Sequence, residues 1–142
     1  MATVTPRNTS HVGRVGAYPL QIARAGLIGI VFCNVGHMSR QIAPYGGLDG
    51  ELSTNPIAFA APRRVAEPIL VDMTTSICAE GKIRVASNKG TALPTGCIID
   101  AQGNVSTRPQ AYLGDPTGAM LPLGGPVAYK GCCLSFIVEI LG

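Results

Sequence analysis

Ala25-Gly26-Leu27-Ile28-Gly29-Ile30-Val31-Phe32-Cys33-Asn34 is the stretch that decides how this chain folds. Gly26 is a natural helix stop, and an almost unbroken apolar run follows it at once. A run of that length and composition predicts a strand, central in its sheet and covered on both faces. Just upstream, Val12, Val15, Gly16, Leu20, Ala23 and Leu27 recur at roughly helical spacing, with Gln21 and Arg24 off that face. They predict a helix from about His11 to Ala25, with Ser10 as N-cap. Pro19 interrupts it, because an interior proline removes a hydrogen bond at a cost of about 3 kcal/mol. Either the helix starts near Pro19 or its first turns are distorted. Helix followed directly by buried strand makes the chain α/β.

The polar run Asn8-Thr9-Ser10-His11 delivers an imidazole to that helix start. Histidine can give or take a proton near neutrality, and the free N–H groups of a helix N-terminus disfavour the imidazolium. The plainer reading of His11 is a polar residue in a helix-start turn, and its type and position leave both readings open.

Downstream, residues 35–56 carry four glycines and two prolines with little regular pattern, anchored by Ile42-Ala43-Pro44-Tyr45. A loop this long inside a compact domain reads as functional; His37 and Arg40 within it read as solvated loop residues. Asn55 to Pro62 reads as a short strand closed by prolines, and Pro68 to Met73 as another buried strand. Asp72-Met73-Thr74-Thr75-Ser76 then places hydroxyls between a strand and a helix from about Ile77 to Lys89, an N-cap pattern and a ready anion site. Gly90 ends that helix. Leu93 to Ser106 predicts a surface hairpin or meander, and Arg108 to Pro116 a loop. The glycine-rich Leu121-Pro122-Leu123-Gly124-Gly125 leads into a helix from Cys132 to Leu141 that is apolar on every face except at Glu139. Such a helix needs cover, either from further chain, which would make this stretch a fragment, or from a partner subunit.

Composition bounds the function. The chain has 142 residues, the size of one domain, with 46% hydrophobic and 13% charged side chains. With a mean hydropathy of +0.30, it is too apolar for disorder. The net charge of +3 is spread along the chain and there is no Trp, so no basic stripe with stacking residues speaks for nucleic acid. Five cysteines, an odd number without a Cys-x-x-Cys pair, read as small core residues in a reducing, cytoplasmic setting, with no metal site. No apolar run is long enough to span a membrane. A Gly-x-Gly-x-x-Gly turn, a Walker loop and a Gly-x-Ser-x-Gly elbow are all missing, which removes support for an ordinary dinucleotide fold, a P-loop enzyme and an esterase.

The order of motifs adds more. Ser10-His11-Val12-Gly13, Gly16-Ala17-Tyr18, Ala43-Pro44-Tyr45-Gly46-Gly47 and Thr54-Asn55-Pro56 come first. Asp72-Met73-Thr74-Thr75-Ser76, Gly81-Lys82, Leu121-Pro122-Leu123-Gly124-Gly125, Tyr129-Lys130-Gly131 and Val138-Glu139-Ile140-Leu141 follow. In this order they resemble the malate/L-lactate dehydrogenase family that is distinct from the Rossmann-type enzymes. The resemblance implies a non-Rossmann α/β cofactor-binding domain whose central, largely antiparallel or mixed sheet is flanked by helices, with residues 1–142 forming a single partial domain. It also implies NAD- or NADP-dependent interconversion of a small 2-hydroxy acid and its 2-oxo acid, in a homodimer. His11 matches the proton-transferring histidine. Asp72, Met73, Thr74, Gly124, Gly125 and Lys130 match the cofactor-binding positions. Thr74 stands where alanine is commoner, Val35 where some relatives place a cofactor-touching serine, and Cys132-Cys133 where Tyr-Gly is frequent. The alternative is a truncated, non-catalytic fragment that holds a nucleotide or pairs with a full-length subunit.

Overall fold

The computed structural model describes residues 1–6, 9–35 and 39–142, so Asn8 and His37 lie outside the described residues. Helix α1 (Ala17–Arg24) is followed by strands β1 (Gly29–Phe32), β2 (Ile57–Ala61) and β3 (Ile69–Met73), then helix α2 (Glu80–Lys89). Strands β4 (Ile98–Ile99) and β5 (Val105–Ser106), helix α3 (Gln110–Leu113) and strand β6 (Ala119–Met120) come next. A 3-10 turn at Gly125–Val127 leads into helix α4 (Tyr129–Leu141). The strands form two three-stranded antiparallel sheets, ordered β1-β2-β3 and β5-β4-β6. The fold is thus mixed α/β with small antiparallel sheets.

Helix α1 starts at Ala17 rather than His11, and its N-cap is Gly16, which offers no side-chain cap, rather than Ser10. Pro19 is the reason. As the third helical residue it lies in the first turn, where the N–H groups have no intrahelical acceptor and a missing one costs nothing. The helix rests on one face of the first sheet. A Cβ on Gly29 would lie 2.8 Å from the Pro19 Cα, and Ala58 and Ala60 beside it are fully buried, so small residues let helix and sheet approach.

The expectation of a central, doubly covered β1 is corrected. β1 is an edge strand, and the pairing of Ile30 with Phe59 and of Phe59 with Val71 puts all three on the face opposite α1. On that face Ile30 is 55% exposed. β3, read as buried, is likewise an edge strand with Ile69 and Val71 exposed. An apolar run shows that a strand can be buried on both faces; here only one face has a helix against it.

The second sheet carries the larger core, where Ile42, Ile83, Leu93, Ile98, Tyr112 and Met120 pack together. Leu93 to Ser106 is therefore no surface meander. β4 and β5 do pair, across a turn in which the Asp100 carboxylate accepts from the backbone of Gln102 and Asn104, but β4 is the central strand and both its isoleucines are buried. The stretch read as a loop after Arg108 contains α3. In the long loop, Ile42 and Ala43 are buried anchors as expected, and Ile42 bridges to Leu52 and Met120.

Helix α4 begins at Tyr129, earlier than expected, and buries only Gly131, Cys132, Ser135 and Val138. Cys133, Phe136, Ile137 and Ile140 remain exposed, which corrects the core placement of Cys133 and leaves α4 with the uncovered apolar surface that its composition implied. All five cysteines are free, Cys33 and Cys78 half-buried. No helix of the described residues is long and apolar enough to cross a membrane.

Candidate functional site

The C-terminal end of β3 turns into a short irregular segment before α2, and the hydroxyls there do not cap that helix. Its N-cap is Ala79, without a side-chain bond, and it starts at Glu80 rather than near Ile77. Instead the Ser76 hydroxyl donates to the Cys78 carbonyl at 2.6 Å, and the Thr74 hydroxyl to the Ser76 carbonyl at 3.2 Å. These local bonds compete with helix for the backbone and hold the segment open. Leu121 to Leu123 runs antiparallel beside it: Ile77 N–H donates to Leu121 O at 2.9 Å and Leu123 N–H to Thr75 O at 2.9 Å.

Between these two segments lies a cavity of about 420 Å³ lined by Pro56, Asp72, Met73, Thr74, Ser76, Ile77, Cys78, Ala79, Lys82 and Leu123. Three of the expected site residues, Asp72, Met73 and Thr74, therefore meet in one wall. Gly124 and Gly125 follow Leu123 directly and both take positive φ, 127° and 54°, which permits the sharp turn out of the cavity wall. Lys130 is not part of the lining; it is exposed on α4 with its ammonium 5.9 Å from the Tyr129 ring centre. His11 also lies outside the lining, six residues before α1 in an irregular exposed stretch, so the helix-terminus argument for it does not hold. Its Nδ1 accepts a hydrogen bond from the Gly13 N–H at 2.9 Å, which leaves the proton of the neutral ring on Nε2.

The stretch that carries His11 is nevertheless joined to the cavity wall. Arg14 Nε donates to Asp72 Oδ2 at 3.2 Å, and Gly16 packs so closely on that carboxyl that an added Cβ would lie 2.7 Å from its Cγ. The Tyr18 hydroxyl donates to the Val12 carbonyl at 2.7 Å and ties the same stretch back to α1.

Of the other lining residues, Ser76 stands in the strand-end motif already read as an anion site, Lys82 was named only as a motif member, and Cys78 was not singled out. Lys82 stands in the first turn of α2, and the Gly81-Lys82 pair carries a usable signal, a cation one turn into a helix that follows a hydroxyl-rich strand end. Burial pushes the Cys78 thiol up to about 11, with the neighbouring Cys97 adding to the effect, so this lining thiol is not a nucleophile near neutral pH. A second cavity, about 490 Å³, lies across α2 among Arg40, Asp49, Glu80, Arg84 and Tyr112. Its two arginines are paired, Arg40 with Glu51 at 3.2 Å and Arg84 with Glu80 at 2.5 Å, and it contains none of the expected site residues. Among the described residues no group of three or more His, Cys, Asp or Glu is placed to hold a metal ion.

The donor set at the end of β3 fits part of a dinucleotide. Asp72 can accept from sugar hydroxyls, Lys82 can meet a phosphate, and Met73, Ile77, Pro56 and Leu123 offer an apolar surface to a ring.

A family model described as malate/L-lactate dehydrogenase matches residues 1–142. The chain is 40% identical over 139 residues to an L-lactate dehydrogenase of Cupriavidus necator, covering 97% of this chain and 39% of that protein. It is 38% identical over 142 residues to hydroxycarboxylate dehydrogenase B of Escherichia coli, covering 100% of this chain and 38% of that one. Among solved structures it superposes on a delta1-piperideine-2-carboxylate reductase of Pseudomonas syringae with a TM-score of 0.81 and 36% identity, covering 90% of this chain and 36% of the other. The chain thus spans about two fifths of the length of the curated relatives it matches.

Proposed function

Because the chain belongs to the malate/L-lactate dehydrogenase family, we propose that it carries the cofactor-side core of an NAD(P)-dependent oxidoreductase acting on a small 2-hydroxy acid, malate- or lactate-like, and its 2-oxo counterpart. The observation that supports this best is the cavity at the end of β3, where Asp72, Met73 and Thr74 converge and to which Arg14 joins the His11 stretch. The relatives named as lactate and hydroxycarboxylate dehydrogenases support the reaction class. When bound, a nicotinamide dinucleotide supplies a two-electron hydride acceptor or donor. Asp72, Met73 and Thr74 would form the wall that holds it, Gly124 and Gly125 would let the backbone approach it closely, and Lys82 in the lining, with Lys130 from α4 outside it, would supply cations toward phosphate. A homodimer with a cytoplasmic setting belongs to the same reading.

His11 takes up the hydroxyl proton as the 2-hydroxy acid is oxidised and returns it to the oxo group in reduction. Either direction passes through the imidazolium, in which both ring nitrogens carry protons, so the Gly13 N–H must release Nδ1 during turnover.

The test follows NAD(P)H absorbance for the 142-residue chain with pyruvate and oxaloacetate, for wild type and His11→Ala. Turnover by wild type that falls by a factor of about 100 or more in His11→Ala, with cofactor binding kept, is the expected result. Cofactor binding without turnover in wild type would instead favour a nucleotide-holding or subunit-pairing role.

A further inference from the structure

Asp72 belongs to two structures at once. It lines the cavity at the end of β3, and it receives Arg14 and Gly16 from the stretch that carries His11. Arg14 occupies Oδ2 at 3.2 Å, and a carboxylate keeps further acceptor capacity on Oδ1. Val15 and Gly16 are buried beside it, so the chain is anchored on the C-terminal side of the histidine. Between the histidine and that anchor Gly13, with φ of 74°, folds the backbone back and donates to the imidazole. Arg14 stands three positions after His11, a reach of about 10 Å when fully extended and less through the Gly13 turn. The Arg14–Asp72 pair therefore limits how far the imidazole can move from the cavity wall.

We propose that Arg14 is a positioning residue: through Asp72 it holds the His11 stretch at the wall of the cofactor cavity, and proton transfer by His11 depends on that pair. This rests on the cofactor and His11 assignments proposed above. The pair itself is accessible, with 63% of the Arg14 and 25% of the Asp72 side chain exposed, so breaking it does little to stability. A positioning role should therefore appear in rate rather than in melting temperature.

The experiment compares wild type, Arg14→Ala and Arg14→Lys. It reads kcat for oxo-acid reduction at saturating NADH, the dissociation constants of NADH and NADPH, and Tm. Arg14→Ala should lower kcat by about 10- to 100-fold, because small misplacements of a reacting group carry costs of that order. Its NADH and NADPH affinities should stay within about twofold of wild type. Arg14→Lys, which keeps the cation, should recover most of the rate. Wild-type kcat in Arg14→Ala would overturn the proposal. So would a loss that Arg14→Lys does not recover and that comes with a lower Tm, which marks a structural role. Weaker NADPH binding with unchanged NADH binding would also overturn it, by making Arg14 a direct contact of the 2′-phosphate. A wild type that binds neither cofactor would sink the cofactor assignment itself, and is separable from all of these.

Discussion

Asn55 is fully buried with a φ of 37°, a left-handed conformation that asparagine tolerates better than most residues. Its amide donates to the Ser135 carbonyl and hydroxyl, both at 3.1 Å, and to the Glu139 carboxylate at 2.8 Å; its own carbonyl accepts from the Thr75 hydroxyl at 3.0 Å. The Ser53 hydroxyl donates to its side-chain oxygen. One residue thus ties the start of β2, the turn beyond β3 and helix α4 together behind the candidate cavity. Asn55→Ala should destabilise the protein by about 2–3 kcal/mol, since it strands buried polar partners and puts alanine at a strained φ. Asn55→Gly, which relieves the backbone but not the lost bonds, should fall between it and wild type in thermal unfolding. Nothing in the sequence singled Asn55 out beyond its place at a proline-flanked strand start. Asp72, Met73 and Thr74, named from a local strand-end motif, line one cavity because they follow one another along the chain. Lys130 and His11 were legible as motif members only, and neither reaches the cavity lining.

At the scale of elements, helix α4 meets the Leu121–Leu123 segment at Gly131. An added Cβ there would press on the Leu123 carbonyl oxygen and lie 2.8 Å from both its carbonyl carbon and its amide nitrogen. In an open helix, glycine to alanine gains about 1 kcal/mol of helix propensity. Here the neighbour is backbone and cannot swing aside, so overpacking of about 1–3 kcal/mol outweighs that gain. Gly131→Ala should lower Tm, and because Leu123 lines the cavity it should also weaken NAD(P)H binding in fluorescence titration; an unchanged affinity would separate the helix contact from the site. Element identity was mostly readable from the sequence: α1, β2, α2 with its Gly90 cap in the left-handed region, and α4 all lie where periodicity and punctuation placed them, within a few residues. Their starts were not. Pro19 set the first turn of α1, and the Thr74 and Ser76 hydroxyls bonded locally instead of capping α2, because such side chains serve a turn as readily as a helix.

For the molecule as a whole, two buried groups tie stability to alkaline pH. Burial raises the Cys78 thiol from 9.0 to about 11, with Cys97 adding to it, and the Tyr112 phenol from 10.0 to about 12, with Glu80 adding to it. Between those limits the folded chain keeps protons that the unfolded chain has lost. Their stabilisation is complete below pH 9 and is lost as pH rises through about 11 and 12. Thermal unfolding should show Tm falling across that window, with Cys78→Ala flattening the lower part and Tyr112→Phe the upper. The apolar surface has a molecular meaning too. Ile30, Ile69 and Val71 on one sheet face, and Phe136, Ile137 and Ile140 on α4, stand exposed, which agrees with an apolar chain that needs cover beyond its own residues. The sequence by itself determined the α/β class, the three longer helices and the family, because these depend on local periodicity, on glycine and proline, and on the order of short motifs. Only the tertiary structure decided which strands are edges, which face of each apolar element is covered, and that Arg14, 58 residues away from Asp72, joins the histidine stretch to the cavity. Burial and contact depend on what packs against an element, and hydrophobicity read along a chain says only what could be covered.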